Sequence, residues 1–212
     1  MLKKKYIIIF IIISLIVSCS IILVNYYYND IEEEVLIEEY IGDTTSISTD
    51  RKTTGLTSKL KNRIKKIVKS TTKTTSNNYL FILDIPKINI KKGIYNKNSS
   101  LNNVDKNITI LPSSSMPDEK NGSVILASHN GNTRVSYFKN LEKLSKDDLV
   151  YIYYKGNKYT YKIYKSEIVD KVGKINVNKK SNVSTICLIS CKNGTNDKQI
   201  LYLGELINTT TY

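Results

Sequence analysis

The sequence predicts a mainly β fold: a closed or nearly closed barrel of seven or eight strands with short helices, preceded by an N-terminal transmembrane helix and a stalk. Three observations carry this. Tyr6 to Val24 is an unbroken run of apolar and small residues, mostly Ile. Residues 29–78 then turn acidic and afterwards rich in Thr, Ser and Lys, with few aromatics. From Tyr79 onward, short apolar or alternating runs recur, bounded by Pro, Gly, Asn and Ser. The parts are therefore assigned as 1–28, a basic tip and membrane anchor; 29–78, a stalk; and 79–212, a barrel domain.

The anchor comes first. Nineteen residues at ~1.5 Å each span roughly 28 Å as a helix, close to the ~30 Å of a bilayer's hydrocarbon core. Lys3, Lys4 and Lys5 precede the run, and Asp30 and Glu32 to Glu34 follow it. By the positive-inside rule the N-terminus is cytoplasmic and everything after Asn25 lies outside. Tyr26, Tyr27 and Tyr28 stand where an interfacial aromatic belt would. Two other readings of the segment stay open. A cleaved signal peptide has an apolar core of about 7–15 residues and a small-residue cleavage site, a poorer fit. A lipoprotein signal ending at Ile16-Val17-Ser18-Cys19 would lipidate Cys19, although the apolar run continues through Ile21 to Val24. In the stalk, Leu60, Ile64, Ile67 and Val68 have helical spacing. They suit a short amphipathic helix on headgroups or on the domain, or a solvated piece of the stalk. Thr71 to Asn78 reads as a linker.

In the barrel, Tyr79 to Ile85 is a strand stopped by Pro86, and Ile88 to Tyr95 is a second. Asn107 to Leu111 is a third, ended by Pro112. Ser123 to Ser128 is apolar without alternation, as expected of a strand buried on both faces. Tyr137 to Leu144 has helical spacing. Leu149 to Tyr154 and Lys158 to Asp170 form a hairpin across Gly156-Asn157. Thr185 to Ser190 and Gln199 to Ile207 complete the set. About 134 residues bury an adequate core without metal or disulfides.

Composition narrows the function. The net charge of +13 and pI near 9.4 permit binding to polyanions. However, the basic residues are almost all Lys, in a chain also rich in Asn, Ile and Tyr. AT-rich codons account for that bias, and no reader module for nucleic acid appears, so no nucleic-acid partner is expected. The cysteines are Cys19, Cys187 and Cys191. On one strand, Cys187 and Cys191 lie on the same face roughly 13 Å apart. A disulfide needs Cα atoms within about 7 Å, so both are expected to be free thiols. One His and two distant Cys make no zinc-ligand cluster, so no metal is expected.

Two strand ends carry reactive groups into polar loops. Ser184 to Cys191 delivers a thiol, and Ser123 to Gly131 delivers His129, the chain's single histidine. A cysteine nucleophile needs a partner that moves protons near neutral pH, and histidine is suited to it.

The order of these segments resembles the sortases, cysteine transpeptidases of Gram-positive cell envelopes. The family signature Thr-Leu-x-Thr-Cys corresponds to Cys187-Leu188-Ile189-Ser190-Cys191, with Leu188 and Cys191 matching, Ser190 conservative and Cys187 in place of the first Thr. The strand before the family histidine matches Val124 to His129. Leu83 to Ile88 resembles the family's opening strand, and Tyr137 to Leu141 its short helix after the histidine. The resemblance covers Tyr79 to Ile207 and implies a sortase-like barrel with Cys191 as nucleophile and His129 as acid/base. It further implies cleavage of an LPxTG-like sorting signal in exported proteins, through a thioacyl intermediate. The acceptor would be an amine of peptidoglycan precursor or a pilin, and membrane lipid would hold the anchor. No cofactor is implied. One departure stands out: sortases carry an arginine on the strand after the cysteine, and Asp197-Lys198-Gln199-Ile200-Leu201-Tyr202 has none. An oxyanion needs donors aimed at it, and the candidates are Gln199, Arg134 and Lys198. The rival readings are a non-catalytic surface binding or assembly module and a cysteine hydrolase that trims surface proteins.

Overall fold

The computed structural model describes residues 2–42, 79–173, 177 and 180–212. The chain divides into two compact units, one holding the N-terminal helix and the other the barrel. In the first, α1 runs Leu2–Ile41 as one 40-residue helix. It is long and apolar enough to cross a membrane over its first part. At ~1.5 Å per residue it reaches roughly 60 Å, about twice a hydrocarbon core. The acidic residues Glu32, Glu33 and Glu34 thus continue the same helix beyond the apolar run. The amphipathic stretch 60–68 lies outside the described residues.

The second unit is a nearly closed barrel of eight strands: β1 (Tyr79–Ile85), β2 (Ile90–Tyr95), β3 (Thr109–Ile110), β4 (Ser123–Ala127), β5 (Leu149–Tyr154), β6 (Asn157–Asp170), β7 (Thr185–Cys191) and β8 (Lys198–Thr211). Their order is β2-β1-β5-β6-β8-β7-β4-β3. Asn107, just before β3, donates its side-chain Nδ2 to the Gly93 carbonyl of β2 at 2.8 Å, bringing the two ends of the sheet together. Gly93 is required by this close approach, because a Cβ there would lie 2.4 Å from the Tyr79 ring.

Several boundaries differ from expectation for local reasons. Pro86–Ile88 forms a 3-10 turn closed by Asn89 at φ 55°, so β2 starts at Ile90 rather than Ile88. The β5–β6 hairpin turns at Lys155 and Gly156, whose φ values of 47° and 73° suit a two-residue turn matched to strand twist. The turn therefore sits one residue earlier than Gly156-Asn157. Tyr137 to Leu144 is not an α-helix but turns ending in a 3-10 helix over Leu141–Lys143. Phe138, Leu141 and Leu144 are three apart and buried, a spacing that serves a 3-10 turn as well as an α-helix.

β7 decides the architecture around the site. It pairs antiparallel with β8 and parallel with β4. Its residues Thr185 to Ser190 are all buried, as a strand covered on both faces must be. Leu126, Ile186, Leu188 and Tyr202 face the barrel interior. Ile125, Cys187, Ile189, Leu201 and Leu203 form a second apolar cluster on the opposite face. Alternation along each strand fixes this division.

Candidate active site

The parallel β4–β7 ladder pairs Ile125 with Cys187 and Ala127 with Ile189. The Ser128 N–H donates to the Ile189 carbonyl at 3.2 Å, and the Ser190 hydroxyl donates to the Ser128 carbonyl at 2.8 Å. The ladder ends at Ala127 and Ile189, so His129 and Cys191 each follow two residues after the last pair of their strands. Cys191, the last residue of β7, continues the face of Cys187 and Ile189, outside the barrel interior. On the other side of β7, Cys191 pairs with Gln199, and Gln199 pairs in turn with Val169 of β6. Gln199 shares the parity of Leu201 and Leu203, hence the same face as the thiol. Cys191 is partly exposed and free.

Polar contacts hold the rim. His129 Nε2 lies 2.9 Å from Asp105 Oδ1. An ionised carboxylate only accepts, so Nε2 carries the hydrogen there and Nδ1 is left for proton exchange. The His129 carbonyl accepts from the N–H of buried Phe138 at 3.2 Å. Asn130 Nδ2 donates to the Cys191 carbonyl at 2.9 Å and to Asn193 Oδ1 at 2.8 Å, joining the two loops that carry the reactive residues. Lys171 Nζ, at the end of β6, stands 3.8 Å from Cys191 Sγ.

A sortase-domain family model matches residues 83–206 of this chain, more than half its length and the whole of this site. The chain belongs to the sortase family. Among characterised sortases, Sortase D of Bacillus subtilis is 33% identical over 90 residues, a stretch covering 42% of each protein. The match thus spans less than half of that relative's length. Solved structures share the fold. Listeria monocytogenes sortase A matches with a TM-score of 0.54 at 20% identity, covering 64% of this chain and 92% of that one. Clostridium perfringens Sortase D5 matches with 0.55 at 19% identity, covering 84% and 99%. Streptococcus pneumoniae Sortase C matches with 0.57 at 17% identity, covering 88% and 90%.

In this sortase the three oxyanion candidates occupy different places. Gln199 lies directly across from Cys191. Lys198 alternates to the other face and pairs with Asp170, which raises its ammonium pKa. Arg134 is exposed in the turns after His129. Asp105 and Lys171 were not legible as site residues. They lie 24 residues before His129 and 20 before Cys191, in stretches with no motif.

Glu142 is a further residue of this kind. It bridges to the loop after the thiol, pairing with Lys192 and accepting the Asn193 N–H at 2.7 Å. Partial burial pushes its carboxyl up, but the Lys192 hydrogen bond, the Asn193 N–H and the Lys192 charge outweigh this and hold it below its ordinary 4.5. A depressed carboxyl contributes stability above its unfolded pKa and loses it as pH falls through the folded one. Glu142→Gln is therefore expected to cost about 1 kcal/mol at pH 7 and almost nothing well below the folded carboxyl's pKa. Urea unfolding of both proteins from pH 7 to pH 2 measures this. An equal difference at every pH would rule the clamp out.

Proposed function

We propose that this sortase is a membrane-anchored cysteine transpeptidase acting on exported proteins that carry a sorting signal. The observation that supports it best is the parallel β4–β7 pairing: Cys191 ends β7, His129 follows two residues after β4, and Gln199 pairs with Cys191. The Cys191 thiolate attacks a backbone carbonyl of an LPxTG-like motif, forming an S–C bond as the carbonyl electron pair moves to oxygen. Collapse of this intermediate breaks the C–N bond, and His129 donates a proton to the departing amine. The Gln199 amide, an N–H donor on the same face, suits the transient oxyanion. An amine of peptidoglycan precursor or a pilin then attacks the thioester, returning the thiol and joining the protein to wall or fibre. Asp105 keeps the imidazole oriented through Nε2. In the proposed topology α1 is a single-pass anchor, with Lys3 to Lys5 cytoplasmic and the barrel outside.

The test uses the full chain in detergent with a set of LPxTG-like peptides, read by intact mass. A thioester adduct on Cys191, released as a new amide when an amine acceptor is added, is the expected result. Release only as a free acid would make the protein a hydrolase. No adduct with any peptide would favour a non-catalytic surface module.

A further inference from the structure

Cys191 needs a positive neighbour for two reasons. Its reactive form is the thiolate, and attack on a carbonyl places new negative charge on oxygen close to the sulfur. The cations around the rim are mostly committed elsewhere. Lys192, next in the chain, pairs with Glu142, and Lys198 at the start of β8 pairs with Asp170. Lys171 differs, because its Nζ points at Cys191 Sγ from 3.8 Å. The contact is prepared by the backbone: the Lys171 N–H donates to the Asp197 carbonyl at 2.7 Å, tying the end of β6 to the β7–β8 loop. The pairs Val169–Gln199 and Gln199–Cys191 then line up the three strands beneath it. Lys171 is exposed.

We propose that Lys171 is the charged catalytic partner of Cys191, with its ammonium group facing the sulfur and the oxygen that gains charge when a substrate carbonyl is attacked. It forms no covalent bond and transfers no proton. In this role β6, rather than the strand after the cysteine, supplies the cation, while Gln199 supplies a neutral donor. The part concerning the substrate oxygen rests on the transpeptidase reading. The part concerning the sulfur does not.

The experiment separates the two. Full-length chain in detergent is alkylated with iodoacetate, an anion, and with iodoacetamide, its neutral analogue, and the rate at Cys191 is followed by peptide mapping. A cation beside the sulfur favours the anionic reagent. In Lys171→Gln the iodoacetate-to-iodoacetamide rate ratio is expected to fall about five-fold, the size of one unit charge at 4 Å in water. In Lys171→Arg it is expected to stay near the original value. Thioester formation with a reactive peptide is expected to fall about ten-fold or more in Lys171→Gln and to recover in Lys171→Arg. A ratio unchanged by Lys171→Gln overturns the proposal, because a structural role would not select between the reagents by charge. So does thioester formation at the original rate in that variant, or a peptide found in amide linkage to Lys171, which would make it an acceptor. Should no peptide acylate the unmodified chain, the transpeptidase reading fails, and the alkylation ratio still decides whether Lys171 is the sulfur's cation.

Discussion

Cys191→Ala is expected to abolish peptide adduct formation with almost no loss of stability, and Cys187→Ala to do the reverse. The two thiols lie on one strand and one face, yet their surroundings differ. Cys191 ends β7, is partly exposed and has a lysine ammonium beside it. Cys187 is completely buried in the outer apolar cluster with Ile125, Leu201 and Leu203. Burial, with the Glu167 carboxylate adding to it, pushes the Cys187 thiol from an ordinary 9.0 up to about 12. It therefore stays protonated and unreactive at neutral pH. Removing its sulfur leaves a small void and is expected to cost roughly 1–2 kcal/mol. The raised pKa also has a sign. Its contribution to stability is complete below the unfolded value near 9 and is lost as pH rises toward the folded value near 12. Cys187→Ala should accordingly flatten the alkaline side of the stability profile. Intact mass after peptide treatment, with thermal melts from pH 7 to pH 11, measures both halves. An adduct surviving in Cys191→Ala would move the nucleophile elsewhere.

Leu188→Ala is expected to be the most damaging of these substitutions to the fold, costing about 2–5 kcal/mol. Leu188 is fully buried in the barrel interior and pairs with Leu126 on one side and Tyr202 on the other. Its truncation would leave a cavity between three strands that the surrounding ladders cannot close. For a domain of this size the melting temperature would fall on the order of 10 °C. Peptide reactivity of the fraction still folded should persist, because Leu188 faces away from the thiol. Thermal unfolding followed by circular dichroism measures the first effect, and adduct formation well below the midpoint measures the second. A loss under 1 kcal/mol would mean that the interior around β7 repacks freely.

The barrel was legible where a strand's own residues carry its pattern. β1 and β5 have the expected bounds, with Pro86 ending the first and the Tyr-rich apolar run before Lys155-Gly156 marking the second. β4 and β7 were recognisable as apolar runs because both faces are covered. β8 was read too short. It continues through Asn208, Thr209, Thr210 and Thr211, exposed residues kept in the sheet by pairing with β6 and not by an apolar face. At the site, the chemistry of Cys191 and His129 suggested itself from residue type and strand ends. The contacts of Asp105, Glu142 and Lys171 did not, because each reaches a partner 20 or more residues away through the sheet's tertiary pairing. Gln199 is intermediate. Its position after the cysteine was visible, while its place directly across from the sulfur needed the β7–β8 register.

The parallel union of β4 and β7 also sets a timetable. Hairpins such as β5–β6 join neighbours in the chain, whereas β4 and β7 join residues about 60 apart, a contact that closes a long loop. Until that pairing forms, the imidazole and the thiol belong to separate pieces of chain. An incompletely folded molecule therefore carries every reactive atom and no working centre. In the proposed reaction, activity therefore depends on this one pairing being complete.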